Sequence, residues 1–553
     1  MANYFNNLFI NVGESMTEKN KKPNVPLRMK FQNLSSMFLC PIDESEVVTY
    51  INSLKNNSAP GIDGIDSKVI KCTHLYLLKP LVYIFNLIFK TGVVPSHFKT
   101  SVVTPILKSG NRNEITNYRP ISLISNFGKI LEKALKTRLL NAHDILSHKQ
   151  FGFIEGVSTS NAMYELVTEI TNNLNNNKKT IAVFLDLAKA FDTVPHDALL
   201  DILSRYGVRG PVLDVFNSYL SNRRQCVKIN GARSDQRVIR MGVPQGTVLG
   251  PLLFIIYINM LLAEVETGGT ILSYADDTVI TFNADNWQDV RERAERGIKF
   301  AKGWFDSFGL SLNIKKTNNI SFSITKKNRP NYDYLNIDED DQYRVKEVTH
   351  TRYLGIIIDQ NLKWHEHSTR VTQITKLLIH KFYVLREMCG VKLLLSLYRA
   401  LFESILTYGI LVWGGTYKNA LHSLEIIQKS ILKIIFKKHR LYPSHLLFSK
   451  NILNVRCLYI LAVAKFMINY ESKPLIKHNL GTRNRQYENL SLPMNKTTLN
   501  LKSLLYFGPK IYNKVPISIR SSKIHKGSAF NKKCSEFIFN AYESAFAGMF
   551  CTL

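Results

Sequence analysis

Two adjacent carboxylates, Asp276 and Asp277, lie between two short β-prone segments, residues 271–274 and 278–282. Two such segments joined by a short turn predict an antiparallel hairpin with the acidic pair at its tip. Aspartate favours turns, so the dipeptide alone is explained as well by ordinary turn chemistry. Two ionised carboxylates in one place repel each other unless a cation neutralises them. The hairpin therefore indicates a sheet whose turn is a candidate site for divalent metal ions.

A third carboxylate follows a buried-strand pattern upstream. Residues 180–185 form a continuous run typical of a strand that is covered on both faces, and Asp186 comes directly after it. An unpaired carboxylate inside such a strand is costly, but at the strand end it can face the hairpin. Taken alone, Asp186 is equally compatible with the start of a turn. Carboxylates without nearby His or Cys favour Mg²⁺ or Mn²⁺ over zinc.

A third block, residues 242–254 (GVPQGTVLGPLLF), joins a Gly/Pro-rich half to an apolar half. The first half predicts a loop, and the apolar half, which runs on through Ile258, predicts a buried helix. A glycine-rich loop lets the backbone and Gln245 approach a planar ligand closely. An ordinary turn before a helix is the alternative interpretation of this block.

In their order along the chain, the three blocks resemble the catalytic motifs of reverse transcriptases. Residues 186–194 (DLAKAFDTV) resemble motif A, residues 242–254 motif B and residues 274–277 (YADD) motif C. The chain is most similar to the enzymes of non-LTR (LINE-type) retrotransposons, in particular the jockey-like insect elements. Four further blocks follow the order of that family: residues 58–65, residues 103–108 with 117–123, residues 312–317 and residues 353–356.

The resemblance implies a catalytic centre with two metal ions. Asp186, Asp276 and Asp277 would hold two Mg²⁺ ions, with Mn²⁺ as an alternative. One ion would activate the primer 3′-hydroxyl, and the other would hold the triphosphate and stabilise the leaving pyrophosphate. Lys316 would lie near the leaving group and donate a proton, although a solvated surface lysine is the plain alternative.

The resemblance also implies a deoxynucleotide pocket. Phe191 would exclude a 2′-hydroxyl, and Gln245 would line the pocket. Lys108 and Arg119 would reach the triphosphate, the arginine as a fork and the lysine as a point charge. The alternatives are a core position for Phe191 and a structural ion pair for Arg119.

Five other residues near these blocks receive different interpretations. Leu354 and Gly355 match the segment that grips the primer. Asp192 is close to Asp186 in sequence, but in a strand or a tight turn its side chain would point in a different direction from that of Asp186. We therefore interpret Asp192 as structural. His196 and Asp197 are interpreted as the start of the following helix.

The composition agrees with a nucleic-acid enzyme. The chain has 553 residues and a net charge of +29, which favours a polyanionic partner because phosphate binding releases counterions. Residues 360–553 hold 29 basic and 8 acidic residues, so +21 of this charge lies there. A generic basic tail is the alternative, but such tails are poor in aromatic residues.

Several classes of protein are disfavoured. The seven cysteines include no C-x₂-C pair, which argues against a zinc finger, and their scatter is typical of a reducing intracellular setting. We find no P-loop and no signal peptide. The apolar run 251–262 is too short to span a bilayer, so no membrane partner is expected. The resemblance to this family implies a location in the nucleus and cytoplasm.

The predicted fold class is α+β, a right-hand polymerase whose palm contains a small antiparallel sheet with helices on one face. Residues 3–7 resemble the connector that follows an endonuclease in full-length elements, so we expect either a 5′-truncated copy without that domain or a fragment of a longer reading frame. The predicted divisions are a partly ordered connector (1–40), fingers (41–179), palm (180–364), helical thumb (365–470) and a basic helical C-terminal region of unassigned role (471–553).

The leading function is RNA-directed DNA synthesis from dNTPs on an RNA template, primed by a DNA 3′ end at a target. Two alternatives remain. One is a catalytically idle, nucleic-acid-binding remnant of such an element, which the intact set of three aspartates disfavours. The other is a reverse transcriptase of the group II intron maturase type, against which the insect-type spacing and the Tyr353–Gly355 segment weigh.

Overall fold

The structure is a computed structural model, and it describes a defined part of the chain. The described residues are 1–19, 33–56, 58–142, 145–264, 267–324, 330, 332–337, 343–469, 490–494, 497–520 and 528–543. Each predicted division has residues outside these ranges: 20–32 of the connector, 57 and 143–144 of the fingers, 265–266, 325–329, 331 and 338–342 of the palm, 470 of the thumb, and 471–489, 495–496, 521–527 and 544–553 of the C-terminal region.

The first part of the chain is mainly helical, with a β-hairpin. Its elements are α1 (Ala2–Lys19), α2 (Glu44–Asn52), α3 (Ser67–Thr91), α4 (Ser96–Lys99), β1 (Thr100–Leu107), β2 (Tyr118–Leu123) and α5 (Asn126–Ala142). Among the described residues, α3 is the one helix whose length and composition would suit a membrane span. In this fold one face of α3 instead packs into the core through Ile70, Phe85 and Ile88.

The central part of the chain alternates helices with strands. Its elements are α6 (Thr159–Asn175), β3 (Lys179–Leu185), α7 (His196–Arg205), α8 (Pro211–Leu220), β4 (Arg223–Ile229), β5 (Ala232–Arg233), β6 (Arg237–Ile239), α9 (Leu249–Glu264), β7 (Thr270–Tyr274), β8 (Asp277–Ala284), α10 (Trp287–Ser307), β9 (Asn318–Phe322), β10 (Tyr334–Asn336), β11 (Arg344–Glu347), β12 (His350–Tyr353) and β13 (Ile356–Asp359).

The described residues after β13 are mainly helical, as predicted for the thumb and for the C-terminal region. The helices are α11 (His365–Met388), α12 (Val391–Leu397), α13 (Ser404–Thr407), α14 (Ile410–Trp413), α15 (Lys418–Ile435), α16 (Val455–Asn469), α17 (Thr498–Lys502), α18 (Leu504–Lys514), α19 (Ile517–Arg520) and α20 (Ser528–Glu543). A π-helical turn, Tyr398–Glu403, joins α12 to α13.

The main sheet has six strands in the order β10-β11-β9-β3-β8-β7. Its centre, β3, pairs antiparallel with both β8 and β9. The α+β class is confirmed, but the sheet is not wholly antiparallel, because β9 and β11 run parallel.

Helices cover both faces of this sheet, so the prediction of helices on one face is wrong. Successive strand residues point to opposite faces. Ile181 and Val183 of β3 join a core with α9 and α10, whereas Ala182 and Phe184 join a second core with α6 and the thumb helices. The continuous apolar run of β3 is the sequence signature of this two-sided burial.

A smaller sheet lies next to the main one. β1 pairs antiparallel with β2 and parallel with β4. The N-terminal helix α1 packs on this sheet, where Phe5 and Asn6 are buried. The Asn6 side chain accepts a hydrogen bond from Gln225 Nε2 at 3.0 Å and donates one to the Asp235 carbonyl at 2.9 Å. The first turns of the predicted connector are therefore part of the folded domain.

Candidate active site

The sheet register brings the three predicted metal ligands together. Leu185 is the cross-strand partner of Thr278. One step further along each strand are Asp186 and Asp277, and neighbouring antiparallel residues are about 5 Å apart at Cα. Asp186 comes two residues after Phe184, and Asp277 comes two residues before Val279. Phe184 and Val279 both belong to the second core, so the two aspartates lie on the same face of the sheet.

The turn between β7 and β8 is tight. Tyr274 pairs with Asp277, so the loop consists of Ala275 and Asp276 alone. Ala275 has a φ of 58°, in the left-handed region that residues with a Cβ seldom occupy. The Ser273 hydroxyl donates a buried hydrogen bond of 2.8 Å to the Ala275 carbonyl, and this bond stabilises the conformation of the turn. Asp276 is thereby fixed beside Asp277.

A segment that the sequence analysis missed supports this turn, and we call residues 149–153 the strap. Gln150 Oε1 accepts hydrogen bonds from the Ala275 and Gly152 backbone N–H groups, at 3.0 and 2.8 Å. The Phe151 N–H donates to the Ser273 carbonyl at 2.8 Å. A Cβ on Gly152 would lie 2.4 Å from the Ala275 nitrogen, so only glycine fits. A glycine between two phenylalanines was the available signal for this close approach.

Two predicted phosphate-binding residues lie at the carboxylates. Lys108 directly follows β1, and Arg119 lies on β2 opposite Ile106, at the same end of the hairpin. Both side chains interact electrostatically with Asp276 and Asp277. Burial lowers the pKa of Lys108, and the nearby Arg119 and Lys316 lower it further. The β1–β2 hairpin therefore places two positively charged side chains near the acidic turn.

The acidic side chains are electrostatically crowded. Removal from water raises the pKa of Asp277 to about 6, and Asp276 and Asp186 add to the rise, although the Asp277 side chain keeps contact with solvent. Burial likewise raises the pKa of Asp276. A bound divalent cation would relieve this repulsion, and three carboxylates are the hard donors that Mg²⁺ prefers.

The carboxylates do not form a closed ligand set by themselves. Within the part of the chain that the structure describes, no three His, Cys, Asp or Glu side chains converge as tightly as a metal site requires. The donor chemistry fits Mg²⁺, while the two-metal arrangement stays a prediction.

Phe191, the predicted sugar-selective residue, is held between two other rings. It stacks on Phe254 with ring centres 4.2 Å apart and planes at 20°. Phe153 of the strap meets it edge-on, at 6.1 Å and 84°. Phe191 is only partly buried, so its ring is not simply a core side chain.

The side chain of Gln245 is engaged by a neighbouring carboxyl. Its Nε2 donates to Asp192 Oδ1 at 2.9 Å. This contact agrees with a structural role for Asp192, which orients the predicted pocket residue. The prediction that His196 and Asp197 begin a helix is confirmed, since α7 starts at His196. The Nε2 of His196 lies 2.9 Å from the Gly242 carbonyl oxygen and so contacts the motif B loop.

The Asp192→Asn variant should change how stability depends on pH. Burial raises the pKa of Asp192 to about 6 from 3.8, so the folded chain binds this proton more tightly than the unfolded chain. The associated stabilisation is complete below about pH 4 and is lost as the pH rises through 6. Asparagine mimics the protonated form. Between pH 4 and pH 7, the free energy of unfolding of the variant should therefore rise by up to about 3 kcal/mol relative to that of the wild type.

Urea denaturation at pH 4, 5.5 and 7 measures this gain. The difference in unfolding free energy between variant and wild type should grow with pH, and a difference that is constant across the range would contradict the assignment.

The remaining predicted residues are Lys316, Leu354 and Gly355. Lys316 is exposed, and its backbone N–H donates to the Asn313 carbonyl at 3.1 Å. Leu354 and Gly355 form the turn of the β12–β13 hairpin, with φ values of 45° and 89°. The Leu354 carbonyl accepts a hydrogen bond of 2.6 Å from the Tyr408 hydroxyl, which ties this turn to the helical region. The proton-donor and primer-grip roles stay predictions.

Glu132 of α5 is a second functional position that the sequence analysis missed. Its buried carboxylate accepts hydrogen bonds from the Tyr219 hydroxyl at 2.5 Å and from the backbone N–H groups of Val248 and Leu249 at 2.6 and 3.2 Å. It thereby anchors the start of α9, directly after the loop that carries Gln245. The signal of this role was the position of Glu132 on the apolar face of α5, three residues before Leu135 and seven before Leu139.

Comparisons with known proteins agree with this site. Residues 106–358 match the family model of the reverse transcriptase (RNA-dependent DNA polymerase). The chain is 27% identical over 413 residues to the "Probable RNA-directed DNA polymerase from transposon X-element" of Drosophila melanogaster, an alignment that covers 72% of this chain and 44% of that protein. It is also 27% identical over 443 residues to the "RNA-directed DNA polymerase from mobile element jockey" of the same species, with 77% and 48% covered.

The class of protein follows from the fold, the site and these matches: the chain carries a reverse transcriptase domain. The chain is similar to the RNA-directed DNA polymerases of non-LTR retrotransposons, and the predicted resemblance to jockey-like elements is confirmed. The chain spans less than half the length of these curated relatives.

Proposed function

We propose that the chain is an RNA-directed DNA polymerase that extends a DNA primer with dNTPs on an RNA template. The observation that carries this proposal is the register that places Asp186 beside the Asp276–Asp277 turn, under the charges of Lys108 and Arg119. Phosphoryl transfer consists mainly of positioning and charge stabilisation, and this arrangement supplies both.

The chain's own residues divide the work of nucleotidyl transfer. Asp186, Asp276 and Asp277 would hold two Mg²⁺ ions, which supply charge neutralisation and activation of the primer hydroxyl when bound. Lys108 and Arg119 bind the triphosphate and orient it. Their positive charge also offsets the negative charge that develops as pyrophosphate leaves.

Other residues would set substrate choice and proton movement. Phe191 would close the space that a 2′-hydroxyl needs, and Gln245, fixed by Asp192, would line the nucleotide pocket. Lys316 would protonate the leaving group. Leu354 and Gly355, docked on Tyr408, would support the primer end.

The partners in this proposal are an RNA template and a DNA primer at the target. The concentration of positive charge after residue 360 supports a polyanionic partner for the helical region. We propose target-primed synthesis in the nucleus, with synthesis of the chain in the cytoplasm. The intron-maturase alternative finds no support among the matched relatives named above, which are products of transposable elements.

Primer extension tests the proposal. The full chain, an RNA template and an annealed DNA primer should give products that need Mg²⁺ or Mn²⁺ and follow the template sequence for all four dNTPs. Tight RNA binding without any extension would instead identify the idle remnant.

Phe191→Val should relax sugar selectivity. Valine cannot fill the space beside the Phe254 ring, so a 2′-hydroxyl would meet less steric resistance. We expect the ratio of ribonucleotide to deoxynucleotide incorporation to rise about 10- to 100-fold, the range that a change in pocket volume of this kind gives. Single-nucleotide extension with each rNTP and dNTP measures the ratio, and an unchanged ratio would refute the role of Phe191.

A further inference from the structure

Phe153 occupies a position that packing does not explain. Phe153 is 50% exposed, so about half of the residue lies outside any core. Its φ of 58° places the backbone in the left-handed region, which is unfavourable for a bulky residue. Residues held in such conformations cluster at active sites, where the surrounding structure imposes them.

The turn between β7 and β8 holds the backbone directly before Phe153. Gly152, the residue before Phe153, lies against the Ala275 backbone, and Gln150 joins both of these residues through hydrogen bonds. Phe153 is therefore the end of a strap whose position is set by the acidic turn.

The Phe153 ring reaches the sugar-selective residue. It meets Phe191 edge-on, while Phe254, fully buried in α9, stacks on Phe191. Edge-to-face and offset-stacked contacts are the favourable arrangements of aromatic pairs. Phe254 contacts one face of the Phe191 ring, and the edge of Phe153 is a second aromatic contact on it.

We propose that Phe153 is a positioning residue for sugar selection, which holds the Phe191 ring in place where it excludes a 2′-hydroxyl. The inference rests on the proposed polymerase function. Without the Phe153 ring, Phe191 can rotate away from the nucleotide, and the space for a 2′-hydroxyl opens. The strap would thus couple the geometry of the acidic turn to the choice of sugar.

The Phe153→Gly variant of the full chain tests this role. Glycine adopts a φ of 58° without strain, so the melting temperature should stay the same or rise. The ratio of ribonucleotide to deoxynucleotide incorporation should rise about tenfold, the most that the loss of one ring contact would give. The kcat and KM for dNTPs should change little, and Phe153→Tyr should keep the wild-type ratio.

Two controls separate this role from a general one. Phe300→Ala removes another exposed ring, on α10, which covers the opposite face of the sheet, and should leave the ratio unchanged. In a Phe191→Val background, Phe153→Gly should add nothing to the ratio, because it acts through Phe191.

The inference is overturned if Phe153→Gly slows both nucleotides equally, leaves the ratio unchanged, or multiplies the effect of Phe191→Val. A wild-type chain that extends no primer overturns the proposed function itself, and the inference with it.

Discussion

Replacing Asp276 by asparagine should abolish primer extension and make the fold more stable. The charge on this side chain is needed to hold divalent cations, whose stabilisation of the transition state amounts to several kcal/mol. Its loss should lower the extension rate by about 10³-fold or more. In the absence of metal the same charge is unfavourable, since burial and the nearby Asp186 raise the pKa of Asp276. Asparagine removes that repulsion and preserves the shape, so the unfolding free energy should increase.

The opposite signs of these two effects make the experiment decisive. Extension rates on an RNA template and urea denaturation without metal, both at pH 7, measure them. Asp285→Asn is the matched control, because Asp285 is an exposed carboxylate just after the far end of β8, paired with Lys178. It should change neither quantity appreciably. If Asp276→Asn retains wild-type extension, the catalytic assignment of this turn is wrong.

The sequence revealed the parts of the site that depend on local rules. The continuous apolar run before Asp186 predicts a doubly covered strand, and β3 is one. The β-prone segments around Asp276 and Asp277 predict a hairpin, and β7 and β8 form it. Hydropathy over residues 249–258 predicts the buried helix α9. Strand alternation and turn chemistry act over a few residues, so the sequence displays them directly.

The supports of the site were not predictable in the same way. Gln150 and Glu132 are polar residues whose burial is balanced by backbone N–H groups more than 100 positions away in the sequence. Hydropathy assigns such residues to the surface, because it does not register a distant hydrogen-bond partner. Asn6 of α1 is buried for the same reason, against an expectation of partial order based on polar composition.

Glu132→Ala should be the most destabilising of the substitutions considered. The carboxylate satisfies the Tyr219 hydroxyl and two N–H groups at the start of α9, and its negative charge lies near the guanidinium of Arg223, which is 1% exposed. Removal leaves buried donors without an acceptor and a buried positive charge without its neighbour. Loss of one partner in such a buried arrangement costs about 3–5 kcal/mol. Urea denaturation followed by circular dichroism measures this loss.

Glu132→Gln distinguishes the contribution of the hydrogen bonds from that of the charge. The amide oxygen can still accept from the N–H groups of Val248 and Leu249, and the amide nitrogen can donate to the Tyr219 oxygen, so the network survives without its charge. If hydrogen bonding dominates, the loss should be about 1 kcal/mol; if the charge beside Arg223 dominates, it should approach the alanine value.

Glu44→Ala, which replaces an exposed glutamate in the first turn of α2, is the control and should change the free energy of unfolding by about 0.5 kcal/mol or less. A Glu132→Ala variant as stable as this control would show that α9 needs no carboxylate at its start, and that another contact positions the Gln245 loop.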